Sequence, residues 1–101
     1  MNWLDCFKKY ERKYRSHAIE RMYQRDISFE DIDQIYDNVE VIEEYPDDFP
    51  FPSCLVLGFN KSNRPIHMVF SVNQIEKTII IITVYEPDKG IWEDNFKRRK
   101  S

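Results

Sequence analysis

The sequence predicts an α+β fold in which two N-terminal helices pack on a curved four-stranded antiparallel sheet. Three observations predict it. Apolar residues recur at helical spacing up to about residue 38. From Val39 the period changes to two. The later segments are joined by short connections, which favour antiparallel neighbours with helices on one face. The 101 residues are enough for one hydrophobic core and too few for two. One domain is therefore expected over 1–101, with a core of about 16–96 and a basic tail at 97–101.

Each element has its own signal. Trp3, Leu4, Phe7, Tyr10 and Tyr14 recur at helical spacing and predict a helix over 3–14. Ser16 either caps a second stretch over 17–25 or marks a kink in one long helix, and Asp26 and Ile27 end it. Ser28 opens a capping box with Asp31, flanked by Ile27 and Ile32 as a hydrophobic staple, for a helix to about Asn38. Strands follow over 39–45, 53–59, 65–72 and 78–85. Pro46, Pro50 and Pro52 make the first connection a loop, and 60–63 is a turn. In the tail, Trp92 and Phe96 are expected to dock on the core, and the last few residues to be mobile.

Charge is strongly segregated. Residues 1–25 carry seven Lys/Arg against three Asp/Glu, residues 26–50 ten Asp/Glu and no Lys/Arg, and residues 51–101 eight basic against five acidic. The net charge of −3 is therefore a poor guide to the local field. Cys6 and Cys54 form no CxxC pair and are expected to be reduced thiols in the cytoplasm. The first ten residues lack the unbroken apolar run of a signal peptide, and the longest apolar stretch is far below the roughly 20 residues needed to span a bilayer.

Two groups of residues have chemistry to offer. His17, Arg21, Gln24 and Arg25 fall within about a quarter of a helix circumference. An imidazole and two guanidiniums on one stripe suit a phosphate, because arginine matches its oxygens with a planar fork and histidine moves protons near neutral pH. The plain alternative is that Arg21 and Arg25 pair with Glu20 or with Asp31 and Asp33. In the strands, Ile66, Met68, Phe70 and Val72 alternate with His67, Val69 and Ser71, and Ile79, Ile81, Thr83 and Tyr85 share a face. A hairpin centred near Ile75 sets His67 opposite Thr83, with Tyr85 diagonal. The alternative is a hydrogen-bonded core histidine. No close-spaced ligand pair, nucleophile elbow or glycine-rich phosphate loop is present, so no metal or cofactor is expected.

The runs Ser16-His17-Ala18-Ile19-Glu20-Arg21-Met22, Arg25-Asp26-Ile27-Ser28, Glu43-Glu44-Tyr45-Pro46, Arg64-Pro65-Ile66-His67-Met68-Val69 and Ile82-Thr83-Val84-Tyr85-Glu86-Pro87 occur in that order. As an ordered set they resemble a bacterial and archaeal family, domain-of-unknown-function family 4258, over about residues 16–92. That family is grouped with RelE-like and barnase-like ribonuclease toxins. The resemblance implies a RelE-like toxin fold, an RNA target (messenger RNA, on or off the ribosome) and a cognate antitoxin. It implies His17, Arg21, His67, Thr83 and Tyr85 as catalytic residues and Arg25 as a phosphate contact, to which Lys97, Arg98 and Arg99 of the basic tail are added. The acidic balance departs from that of ribosome-dependent relatives, which tend to be basic.

Two functions are thus expected to compete. One is a metal-independent endoribonuclease of a type II toxin–antitoxin system, in which a histidine takes the proton from the RNA 2′-hydroxyl. The other is a non-catalytic domain of the same fold that binds protein or RNA.

Overall fold

A computed structural model describes all 101 residues. The element order is α1 (Trp3–Lys9), β1 (Glu11–Tyr14), α2 (Ser16–Gln24), α3 (Phe29–Gln34), β2 (Glu40–Tyr45), β3 (Ser53–Phe59), β4 (Pro65–Asn73) and β5 (Thr78–Tyr85). The sheet has five strands in the order β1-β5-β4-β3-β2. β1 runs parallel to β5, and every other pair is antiparallel.

This corrects the expected four-stranded antiparallel sheet with two packed helices: the sheet is mixed, and three short helices accompany it. The discrepancy arises at residues 3–14. Helix α1 stops at Lys9, and Tyr10 is already extended. Glu11 to Tyr14 then pair with Thr78 to Ile81 along what is otherwise an open edge of β5. Satisfying that row of backbone groups outweighs continuing a short surface helix. Alternation along β1 turns Arg12 and Tyr14 toward the helices. The Arg12 guanidinium lies 4.4 Å from the centre of the Phe7 ring and reaches Asp33 at 2.7 Å, and Tyr14 packs against Phe29.

The second helical signal is sharper than the first. Ser28 caps α3 by accepting from the Asp31 backbone N–H, and the Asp31 carboxylate accepts from the Ser28 N–H. Ile27 and Ile32 are both buried. The helix ends at Gln34, short of Asn38. Asn38 bonds the backbone N–H and carbonyl of Phe59 instead, tying the turn after α3 to the end of β3. Ser16 does not cap α2; it is the first helical residue, and Arg15 occupies the cap position with no side-chain hydrogen bond.

The main core lies between the helices and one sheet face. It is built from Phe7, Met22, Ile32 and Ile35 above and from Ile66, Met68, Phe70, Ile79 and Ile81 below. Alternation in β4 is as expected, but β5 is not regular. The register slips between Val69 and Phe70, leaving Ile82 as an extra residue. Val84 therefore occupies the core face, while Thr83 and Tyr85 pass to the opposite one. The resulting register sets His67 opposite Tyr85, and Thr83 opposite Val69.

That opposite face is covered by the C-terminal chain. Trp92 is buried, a bridge joins Trp92 to Arg99, and Lys97 and Arg99 pair with Glu40 and Glu43 of β2. The basic end is therefore laid down on the acidic strand, which corrects the expectation of a mobile tail. Cys6 and Cys54 are free, buried thiols whose ionisation burial pushes up. No helix is long and apolar enough to cross a membrane.

Candidate functional site

The residues expected to act together divide between two places. The first is a groove of about 270 Å³ lined by Arg15, His17, Arg21, Ile82 and Thr83. Its origin is local. After Tyr14 the chain leaves the β5 edge, with the Arg15 N–H donating to the Ile81 carbonyl at 3.1 Å, and turns at once into α2. The start of α2 therefore stands beside the bulged end of β5. His17 and Arg21 are four residues apart, hence on one helix face, and both are exposed. Ala18 and Met22 anchor the adjoining face in the core.

The electrostatics of the groove favour an anion. No acidic residue lies in the first turn of α2, and its first backbone N–H groups have no side-chain cap. The molecule's four ion pairs use Arg12, Arg64, Lys97 and Arg99, so neither Arg15 nor Arg21 has a carboxylate partner. Arg25, at the end of the same helix, is differently placed. It is half-buried and donates to the Val84 carbonyl at 2.8 Å, which braces α2 against β5.

The second place holds His67 and Tyr85, on the far face of the sheet. His67 is 0% exposed. Its Nε2 lies 2.8 Å from the Phe96 carbonyl, which can only accept, so Nε2 carries the proton. Nδ1 then accepts from the Tyr85 hydroxyl at 3.2 Å. Trp92 meets the ring edge-on at 4.5 Å. Burial holds this imidazole below its ordinary range, with the Phe96 carbonyl opposing the shift, and burial pushes the Tyr85 phenol up. Both groups are committed to each other and to the tail.

Of the expected catalytic set, His17, Arg21 and Thr83 line the groove; His67 and Tyr85 do not, although Thr83 shares their sheet face at the β5 edge. Lys97 and Arg99 face Glu40 and Glu43, and Arg98 gives its backbone carbonyl to Glu93. One groove residue escaped the sequence reading. Arg15 falls between the helix expected over 3–14 and the cap candidate Ser16; its signal is the basic residue immediately preceding Ser16. No cluster of three or more histidine, cysteine or carboxylate side chains is placed to hold a metal ion.

Comparison with curated proteins and with solved structures finds no match. Residues 14–86 match a family model, a span from the last residue of β1 through β5 that takes in the whole groove, and on that match the chain belongs to the family described as domain of unknown function (DUF4258).

Proposed function

We propose that this chain binds single-stranded RNA through a phosphodiester seated in the Arg15–His17–Arg21 groove and cleaves it there without a metal, as a toxin held in check by a cognate antitoxin in the cytoplasm. One observation carries the proposal: in a chain of net charge −3, two guanidiniums and an imidazole line one exposed groove and no carboxylate pairs with the guanidiniums. Guanidinium forks and the free N–H groups of a helix start are complementary to phosphate oxygens.

The chemistry follows from the residues that reach the groove. His17 takes the proton of the RNA 2′-hydroxyl as that oxygen attacks the adjacent phosphorus. Arg15 and Arg21 hold the charge that builds on the non-bridging oxygens. The bond to the 5′-oxygen breaks, and water at the open mouth of the groove supplies the proton to that leaving oxygen. The products are a 2′,3′-cyclic phosphate and a 5′-hydroxyl end. Thr83 lines the wall and orients the phosphate. His67 and Tyr85 take no proton in this scheme, because each is already engaged beneath the tail.

A second reading rests on the same burial. With His67 sealed, one imidazole serves the groove, and the chain then binds RNA without cutting it. Incubating the purified protein with labelled single-stranded RNA, with and without chelator, separates the two. Chelator-resistant cleavage that falls about 10²- to 10⁴-fold in His17→Ala supports the nuclease. Binding without cleavage leaves the second reading. In either case Arg21→Ala should flatten the salt dependence of binding by about 0.7 in log–log slope. Cleavage unchanged in His17→Ala, cleavage abolished by chelator, or no RNA binding at all refutes the nuclease.

A further inference from the structure

The two faces of the sheet differ in what they bury. The face under the helices is apolar throughout its buried positions. All four buried polar side chains, Ser53, His67, Ser71 and Thr78, occupy strand positions on the other face beside the buried Leu55 and Leu57, and of the four it is His67 that the C-terminal segment contacts. A permanently covered sheet face is expected to be apolar, because each buried polar group must find a partner or cost stability.

The cover over His67 is the segment 91–100, a strap that is self-contained. Apart from the Ile91 and Trp92 N–H groups, which donate to the Asp88 carbonyl just before it, its backbone bonds are internal: the Glu93 N–H donates to the Arg98 carbonyl, Phe96 to Glu93, and Lys100 to Ile91, each at 2.8 Å. No backbone hydrogen bond joins it to the sheet. It is held by Trp92, by the His67 bond to the Phe96 carbonyl, and by the Lys97–Glu40 and Arg99–Glu43 pairs. Both pairs are substantially exposed, so solvent and salt weaken them. Phe96 also sits at φ 60°, a backbone region that bulky residues rarely adopt. The strap lies beyond the 14–86 stretch shared with the family.

We propose that β2 and the His67 side of β4 form a docking cradle for a lysine- and arginine-rich, aromatic-bearing segment of a partner protein, and that the chain's own strap fills this cradle until such a segment displaces it. The strap shows what the cradle recognises. An aromatic ring stands perpendicular to His67, a backbone carbonyl accepts from Nε2, and two cations two positions apart meet Glu40 and Glu43. The acids belong to a stretch, 26–50, that contains no basic residue. An opened cradle is therefore negative, which selects a basic segment and repels nucleic acid. The strap leaves as a unit because most of its backbone bonds leave with it, and the face it covers already carries His67 and the β2 carboxylates alongside Leu57.

Hydrogen exchange on the 101-residue chain tests this. Strap amides should exchange through an opening that leaves β3 and β4 protected. Lys97→Glu/Arg99→Glu should speed that exchange about two- to tenfold, as expected for losing and reversing two exposed pairs. A synthetic peptide of residues 87–101, added in excess to the wild-type protein, should deprotect the strap without altering the sheet. The same peptide should bind the Trp92→Ala protein saturably, and more weakly as salt rises to about 0.5 M. A peptide with Lys97, Arg98, Arg99 and Lys100 replaced by glutamate should do neither. Strap amides that exchange only with global unfolding overturn the proposal, as does a wild-type peptide no more effective than its acidic counterpart. Should Trp92→Ala fail to fold, the wild-type exchange experiment decides alone.

Discussion

The two histidines should respond to truncation in opposite ways, and the size of the difference follows from their surroundings. His67→Ala removes a ring with 0% exposure and both of its hydrogen-bond partners' counterparts. The Tyr85 hydroxyl and the Phe96 carbonyl lose their partner, and Trp92 loses its edge-on contact. An orphaned buried polar group costs about 1–3 kcal/mol. Tyr85 and Phe96 are only half-buried, so water recovers part of that cost, while the vacated volume adds to it. A net loss of about 2–4 kcal/mol follows, or a fall in Tm of about 8–30 °C for a domain of this size. His17→Ala, exposed on α2, should stay within about 0.5 kcal/mol of wild type. Thermal and urea unfolding followed by circular dichroism measure both. The His67 ring also carries a pH signature. Its folded pKa lies below the ordinary 6.5, so the unfolded chain takes up the proton first as pH falls. The stabilisation from the neutral ring is complete above 6.5 and is lost as pH drops through the folded value. His67→Ala should lack that component of the acid slope. A His67→Ala protein within about 3 °C of wild type, where a 1 kcal/mol loss alone gives 4–8 °C, would refute the reasoning, as would an equal loss in His17→Ala.

Two further substitutions test how the helices are placed. At Gly58, an added Cβ would collide with the Ile35 Cβ and stand 2.9 Å from its Cγ2, so Gly58→Ala should cost at least about 1–3 kcal/mol. Ile35→Ala should rescue little of this in a double-mutant cycle, because the nearest atom remains; strong rescue would show that the close approach is misplaced. Ser28→Ala removes the acceptor for the Asp31 N–H and should cost about 1 kcal/mol in urea unfolding; a change under a few tenths would mean that the cap is dispensable.

Much of the architecture could be read from pattern because it rests on local signals. The capping box at Ser28 involves residues three apart, and the alternation of Ile66, Met68, Phe70 and Val72 is a property of one strand. The stripe of His17 and Arg21 on α2 is likewise local. What escaped depends on partners distant in sequence. Residues 11–14 become a strand only because β5, more than 60 residues later, offers an open edge. The bulge at Ile82 reverses the facing of Thr83 and Tyr85, and no glycine or proline marks it. The expected His67–Thr83 pair rested on a hairpin centred at Ile75; pairs next to the turn such as Val72–Ile79 are already one residue out of that register, and the bulge adds the second, so the fold makes His67–Tyr85. The burial of His67 depends on the tail, 25 to 29 residues further on, folding back over the sheet.

The parallel strand also explains how an acidic chain presents a cationic groove. β1 carries the chain along β5 and releases it at Arg15, so the start of α2 and its basic residues arrive where the β5 edge is no longer paired. Part of the acidic stretch is engaged elsewhere. Asp33 takes Arg12 beneath α3, Glu40 and Glu43 take Lys97 and Arg99 across the sheet, and Asp31 is held by Ser28 and Asn60. Hydrogen bonds from those two residues keep the Asp31 carboxyl below its usual range despite the opposing effect of burial. These pairs engage acids on other parts of the surface, and neither Arg15 nor Arg21 has a carboxylate partner. The field an anion meets depends on which charges remain unpaired near it, and the net charge of the chain does not report that.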